Sequence, residues 1–196
     1  MGGALVTRHP PGRIRIVAGE KRGHRIRVPL MADLRPTGER VREAIFNVLG
    51  PVDDLLVLDL FAGTGAMGLE ALSRGARRCV FVENDSSVAA VLLENISSLD
   101  YQSRSRVITT DYRRALSALE REKGGFDLLF VDPPDRMLPE VEATLGPLLP
   151  LVVGDDGVVV VEGAKSRGVT LGRVPVFDRT YGDTRVTMIS MRRSVP

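Results

Sequence analysis

A chain of 196 residues with 43% hydrophobic and 27% charged side chains is long enough to bury a sizeable core. It suits one domain, or one domain with a small appendage. Its apolar content excludes intrinsic disorder, and no apolar run approaches the roughly 18 residues of a membrane span. Two histidines and one cysteine exclude an ordinary zinc site and an internal disulfide, which fits the cytoplasm. Cys79 reads as a small buried hydrophobe in a strand. Residues 1–11 lack the charged-then-apolar order of a signal peptide, and Val6 stands where N-myristoylation requires Ser or Thr. The net charge of +2 conceals an asymmetry. Residues 1–50 hold ten Lys/Arg against four acids, or +6, while the remainder has 17 basic against 21 acidic residues, or −4. A positive arm on a mildly acidic body points to a polyanion partner delivered to a separate site.

The arm opens with Arg13-Ile14-Arg15-Ile16-Val17, turns between Gly19 and Gly23, and continues as His24-Arg25-Ile26-Arg27-Val28. The alternation predicts a β-hairpin whose Arg13, Arg15, Arg25 and Arg27 share one basic face and meet phosphates. Thr37 is a candidate cap for a helix that presents Arg40, Glu43 and Asn47 at helical spacing. Arg40, Arg42 and Asn47 read equally well as substrate-facing residues and as the surface of a linking helix. Pro51-Val52-Asp53-Asp54 then leads into regular alternation. Strands are predicted over 55–60, 79–83, 105–109, 126–131 and 157–162, with helices over 66–74, 86–99, 112–122 and 138–149. That order implies an α/β fold with a mostly parallel sheet covered on both faces. The chain ends differently, in a strand pair over 174–181 and 184–191 joined at Gly182-Asp183, which predicts an antiparallel hairpin. The expected organisation is a basic N-terminal extension, 1–50, followed by a catalytic domain, 51–196.

Acids recur where strands end. The run Leu56-Val57-Leu58-Asp59 leads into Phe61-Ala62-Gly63-Thr64-Gly65-Ala66-Met67-Gly68, a strand, a glycine turn and a helix start. Glycines in that pattern let the backbone approach a ligand at a helix N-terminus. Asp59 ahead of them suits a ligand with positive charge, such as the amine of S-adenosylmethionine. The next strand ends in Glu83, placed to take both ribose hydroxyls. Asp111, after Val107-Ile108-Thr109, reads equally as an acceptor for an adenine amino group and as a helix N-cap. Then Phe130-Val131-Asp132-Pro133-Pro134 holds an acid at a strand end between a buried run and two prolines. The Asp132 carboxylate and the Asp132 or Pro133 carbonyl can both accept from a planar exocyclic amine. They pull its hydrogens out of conjugation and aim its lone pair at an electrophile. In open α/β sheets the carboxyl edge of the strands is where ligands bind.

From residue 12 to about residue 193 the chain resembles the bacterial methyltransferases that modify the N2 amine of a guanine in small-subunit (16S) ribosomal RNA, the RsmD-like family. The resemblance rests on Arg13-Ile14-Arg15-Ile16-Val17-Ala18-Gly19, Leu34-Arg35-Pro36-Thr37 and Arg40-Val41-Arg42-Glu43-Ala44-Ile45-Phe46-Asn47. It continues through Asp59-Leu60-Phe61-Ala62-Gly63-Thr64-Gly65, Gly68-Leu69-Glu70-Ala71-Leu72-Ser73-Arg74-Gly75-Ala76 and Phe130-Val131-Asp132-Pro133-Pro134. It implies a Rossmann-like methyltransferase fold, with a seven-stranded sheet closed by the C-terminal antiparallel hairpin. It also implies S-adenosyl-L-methionine bound by Asp59, Phe61, Gly63, Gly65, Glu83 and Asp111, and catalysis at Asp132 with Pro133 and Pro134. RNA contacts are expected at Arg13, Arg15, Arg25, Arg27, Arg35, Arg40 and Arg42, and no metal. The implied partner is ribosomal RNA in an assembling small subunit, met by a monomer away from membranes. One residue departs from the pattern. After Asp-Pro-Pro the family usually carries a Phe or Tyr that stacks on the flipped base, worth roughly 1–3 kcal/mol, and here Asp135 stands instead. Phe46, Phe61 or Tyr112 are the candidate replacement rings.

Three rival functions share parts of this pattern. An adenine-N6 methyltransferase uses the same Asp-Pro-Pro logic. A nicotinamide-dependent oxidoreductase explains the glycines but leaves Asp132-Pro133-Pro134 and the basic arm without a purpose. A non-catalytic RNA-binding assembly factor agrees with Asp135. The basic hairpin predicts RNA binding that weakens steeply as salt rises; a binding constant that hardly moves between low and moderate salt removes the electrostatic footprint.

Overall fold

The computed structural model describes residues 12–28, 38–120 and 125–192. Its centre is a seven-stranded sheet in the order β5-β4-β3-β6-β7-β9-β8. The strands are β3 (Leu56–Asp59), β4 (Arg78–Glu83), β5 (Ser105–Thr109), β6 (Phe126–Val131), β7 (Val153–Ala164), β8 (Phe177–Tyr181) and β9 (Thr184–Ser190). Pairing is parallel from β5 through β7 and antiparallel for β9 against both β7 and β8. Five helices complete the fold: α1 (Glu39–Leu49), α2 (Ala66–Ser73), α3 (Ser86–Ser98), α4 (Tyr112–Leu119) and α5 (Leu138–Val152). Continuous apolar strands such as Phe126–Val131 form because both faces are buried. Phe130 and Val160 lie in one core, while Leu129, Val131, Val159 and Val161 lie in the other. Among the described residues no helix is long and apolar enough to cross a membrane.

The sequence-based elements agree with these spans except near residue 150. There α5 runs on through Pro147 and Pro150 to Val152, and β7 starts at Val153 rather than at residue 157. A register shift between Phe126 and Leu128 accommodates the extra residues. The cost of a proline is small on this solvent-lapped last turn, where Leu151 is exposed.

The N-terminal hairpin is present as β1 (Gly12–Arg15) and β2 (Arg25–Val28), with Arg13 opposite Arg27 and Arg15 opposite Arg25. Alternation puts these four arginines outward, while Ile14, Ile26 and Val28 face in. The inward side chains join Ile45, Phe46, Val57, Leu69 and Phe130 in a single core, so the hairpin packs directly on the α2 side of the sheet. Arg15 pairs with Glu39, and Arg27 with Glu94 of α3.

A buried carboxylate ties this hairpin down. Glu70 of α2 is fully buried, and its two oxygens accept the backbone N–H groups of Val17 at 2.8 Å and Ala18 at 2.9 Å. Arg74, one turn on, donates to the same carboxylate at 2.8 Å and lays its guanidinium over the Phe46 ring at 4.5 Å. Arg42 approaches Glu70 at 3.8 Å and donates to the Arg15 carbonyl at 2.6 Å. Arg42 is therefore corrected from an RNA contact to an internal one. It has no exposed surface, its guanidinium is spent on Glu70 and a strand carbonyl, and burial lowers its pKa against the field of Glu70. Arg40 is exposed, as are Glu43 and Asn47 on the same face of α1. Arg35 and the Thr37 cap lie outside the described residues; the residue preceding α1 is Gly38, which offers no side-chain cap.

Glu70→Ala strands Arg42 and two backbone donors in the core, so a loss of about 3–5 kcal/mol is expected, read as a fall in the urea midpoint. A change under about 1 kcal/mol rules out Glu70 as the clamp.

Candidate active site

The site is built at the point where the sheet reverses direction. From β3 the chain moves outward to β4 and β5, then returns to place β6 on the other side of β3. The carboxyl ends of β3 and β6 therefore flank a crevice, the usual ligand position in open α/β sheets. Asp59 is in register with Phe81 of β4 and Phe130 of β6. Beyond the strands, the Leu60 N–H donates to Phe130, Ala62 to Val82 and Thr110 to Glu83. These bonds hold four chain ends in one edge.

The glycine turn needs its glycines. Gly63 and Gly65 have φ of 51° and 84°, in the left-handed region that Cβ-bearing residues rarely enter. Gly68 is needed for contact instead: a Cβ there would sit 2.3 Å from the Phe81 ring and 2.6 Å from the Cys79 sulfur. Helix α2 thus lies close on β4, and the small Cys79 is part of that fit. Burial pushes the Cys79 thiol pKa up, so it is an inert filler.

Asp59 is buried and accepts the Gly68 N–H at 3.0 Å, which anchors the first turn of α2. Burial raises its pKa to about 7, Gly68 opposes that rise, and the charges of Asp132 and Glu83 add to it. Three expected site acids are therefore electrostatic neighbours. Glu83 is half-buried and accepts from Gly63 N–H at 2.9 Å and Asp85 N–H at 2.8 Å. Asp111 caps α4 by accepting the Arg113 N–H at 2.9 Å, so its capping role is realised. Each carboxylate oxygen has a second lone pair, and scaffold duty leaves room for a ligand.

Asp132 is half-buried, Pro133 buried and Pro134 exposed. Pro134 leads into a short 3-10 turn, Asp135–Met137, and its own carbonyl takes the Met137 N–H at 2.8 Å. The residue that replaces the expected aromatic has a defined partner: the Asp135 carboxylate accepts the Ala164 N–H, at the end of β7, at 2.9 Å. Among the candidate rings, Phe46 is buried beside Phe130 and Tyr112 is also buried. Phe61 is half-buried and tilts against Tyr112 at 5.1 Å between ring centres, so it is the ring nearest the open crevice.

Sequence reasoning missed one acid of this edge, Glu162. It is buried, at 4% exposure, near the end of β7. The signal was present in Val158-Val159-Val160-Val161-Glu162, an acid closing an apolar strand as Asp59 and Glu83 do. An open cleft of about 430 Å³ lined by Gly19, Asp53, Arg77 and Arg104 lies at the opposite edge, before β4, and contains none of these residues.

The family model described as Conserved hypothetical protein 95 matches residues 14–190. The chain is 44% identical to the Ribosomal RNA small subunit methyltransferase D of Escherichia coli K12, over 64% of this chain and 62% of that protein. Among solved structures, a hypothetical protein of Thermus thermophilus superposes with a TM-score of 0.78 at 30% identity, covering 90% of this chain and 99% of the other. An RNA methyltransferase from Salinibacter ruber in complex with S-adenosyl-L-homocysteine has a TM-score of 0.61 at 16% identity, over 83% and 97%, which is a likeness of fold.

A carboxyl whose folded pKa lies above its unfolded value costs stability as it ionises. That cost is absent below about pH 4, grows as pH rises towards 7, and is complete above it. Asp59→Asn keeps an acceptor for Gly68 and removes the charge. Its stability should exceed that of the unsubstituted protein at pH 8 and converge with it near pH 4 in urea titrations; a difference independent of pH rules out Asp59 as the buried titrating group.

Proposed function

The chain belongs to the family described as Conserved hypothetical protein 95, and on that premise we propose that it transfers a methyl group from S-adenosyl-L-methionine to the exocyclic N2 amine of a guanine in small-subunit (16S) ribosomal RNA. The observation that carries this reading is Asp132, held by Pro133 at the switch point beside Asp59 and the glycine turn. The name of the Escherichia coli relative, a small-subunit ribosomal RNA methyltransferase, supports the same substrate class.

The site fits a cationic donor. Asp59, Glu83 and Asp132 raise one another's cost of ionisation, and a positive ligand relieves that cost. When bound, S-adenosylmethionine supplies an electrophilic methyl on a sulfonium. Asp59 and the 63–65 turn hold the methionine part, Phe61 borders it, Glu83 takes the ribose hydroxyls, and Asp111 takes the adenine amine. Asp132 and the Asp132 or Pro133 carbonyl accept the two hydrogens of the target amine and fix its lone pair in line with the methyl. No strong base is required, because the amine turns acidic once alkylated and loses its proton to Asp132 or water. A guanine inside RNA structure has to flip outward to reach this crevice.

The outward arginines of the extension, Arg13, Arg15, Arg25 and Arg27, with Arg40 on α1, supply the phosphate contacts that orient the RNA. We assign the RNA-binding role to residues 1–50 and the chemistry to 51–196. The protein acts as a monomer on RNA of an assembling subunit.

The test is methyl transfer from labelled S-adenosylmethionine to undermethylated small-subunit RNA, naked and in assembled particles. Label on guanine N2 is expected, and Asp132→Ala should lower the rate by at least about 100-fold, as expected for losing a preorganised acceptor, while cofactor and RNA still bind. Label on adenine N6, or binding of RNA with no transfer, replaces this reading with one of its rivals.

A further inference from the structure

Glu162 has no role in the reading above, yet it stands beside the residue at the centre of it. Strands β6 and β7 are paired in parallel with Val131 opposite Val161, so Asp132 and Glu162 follow in step on adjacent strands, about 4.8 Å apart. Side-chain alternation gives Glu162 the face of Val160, which is also the face of Asp59, since Val57 shares that core while Leu58 does not. A carboxylate at 4% exposure among valines is costly unless something answers its charge. Part of the answer is Arg42, whose guanidinium lies in the combined field of Glu70, Glu39 and Glu162. Arg42 in turn donates to the carbonyl of Arg15 in β1. Glu162 thus lies between the anchored extension and the amine-orienting loop.

A strand filler at this position would be another valine, so the acid calls for a donor. On the Watson–Crick edge of guanine the N2 amine is flanked by N1–H, two neighbouring donors. On adenine the N6 amine is flanked by N1 as an acceptor. A second carboxylate next to Asp132 therefore accepts from guanine and repels adenine, and a site built to bond a group rejects the analogue that lacks it. We propose that Glu162 is a base-specificity residue, whose carboxylate accepts the N1–H of the target guanine while Asp132 and the adjoining carbonyl accept the N2 hydrogens. Arg42 is its positioning residue, aiming the carboxylate from behind. This assignment rests on the guanine-N2 reading.

2-Aminopurine separates the two ideas, because it keeps the C2 amine but presents N1 as an acceptor. Once the methylated position is mapped, RNA carrying guanine or 2-aminopurine there is compared in single-turnover transfer by the unsubstituted protein and Glu162→Gln. The unsubstituted protein should prefer guanine by about 10- to 100-fold, the loss expected when a charged acceptor is left unpaired. Glu162→Gln should reduce that preference to a few-fold, since its amide can donate to the 2-aminopurine N1. An equal drop on both substrates, with the preference intact, overturns the proposal and leaves Glu162 as a structural counter-charge to Arg42. Should Glu162→Gln not fold, Glu162→Asp keeps the charge while withdrawing it by one methylene; it too should erode the guanine preference, and an unchanged preference overturns the proposal. No methyl on guanine N2 with the unsubstituted protein overturns the functional reading itself, and the proposal with it.

Discussion

The parallel pairing of β3 with β4 on one side and β6 on the other is the constraint on which the site depends. It aligns Asp59 with Phe81 and Phe130, so three strands end at one level and their acids gather without any loop having to reach far. The gathering is costly: burial and the fields of Asp132 and Glu83 raise the Asp59 pKa to about 7. Strand cores of Val, Leu and Phe that stabilise the sheet cover that cost. The close approach of α2 to β4 through Gly68 belongs to the same constraint, since a side chain there would meet the Phe81 ring and push the glycine turn away from the edge. A strained acid cluster on a well-packed sheet is the arrangement in which ligand binding, rather than folding, relieves the charge.

The second dependence is the hold of the catalytic body on the basic hairpin. Two short strands do not stand alone in water, and the inward face of this pair offers only four apolar side chains from Ile14 to Val28. Glu70 makes up the difference by accepting two backbone N–H groups and engaging Arg74 and Arg42. A buried ionic knot of this kind adds little net stability over apolar packing, but it admits one geometry only. Fixed orientation is what a phosphate-gripping arm needs if a base is to enter a crevice defined to within an ångström.

Most of the fold is legible in the sequence because both periodicities are strong. Alternation predicts the hairpins, apolar runs predict the parallel strands, and the acids at strand ends predict the edge. The failures have physical causes. Arg42 reads as an RNA contact because a charged residue on a short helix is ordinarily solvated; only the fold reveals that Glu70, 28 positions later, is buried against it. The start of β7 is misplaced because Pro147 and Pro150 look like helix terminators, yet a helix can carry them where their neighbours face solvent. Asp111 offers two roles to the sequence, and the cap is the one realised without a ligand. Glu162 escapes notice because four valines ahead of it read only as a core strand; its neighbour across β6 is what gives it meaning.

Asp135 shows how one substitution can be answered locally. An aromatic after Asp-Pro-Pro contributes roughly 1–3 kcal/mol by stacking on a base. The aspartate forgoes that, but its carboxylate accepts the Ala164 N–H at 2.9 Å, and a hydrogen bond to a charged group is worth about 1.5–3 kcal/mol. The two magnitudes are alike but act on different states: stacking stabilises the complex, whereas the tether to β7 stabilises the loop before the base arrives. Asp132 is three residues from that tether, and Glu162 is two residues from Ala164 on the strand that receives it. The bond therefore couples the amine-orienting loop to the strand end beside it, and lowers the ordering cost that binding would otherwise bear. With Phe61 as the ring nearest the crevice, positioning of the base shifts from a stacking surface towards fixed acceptors along its edge.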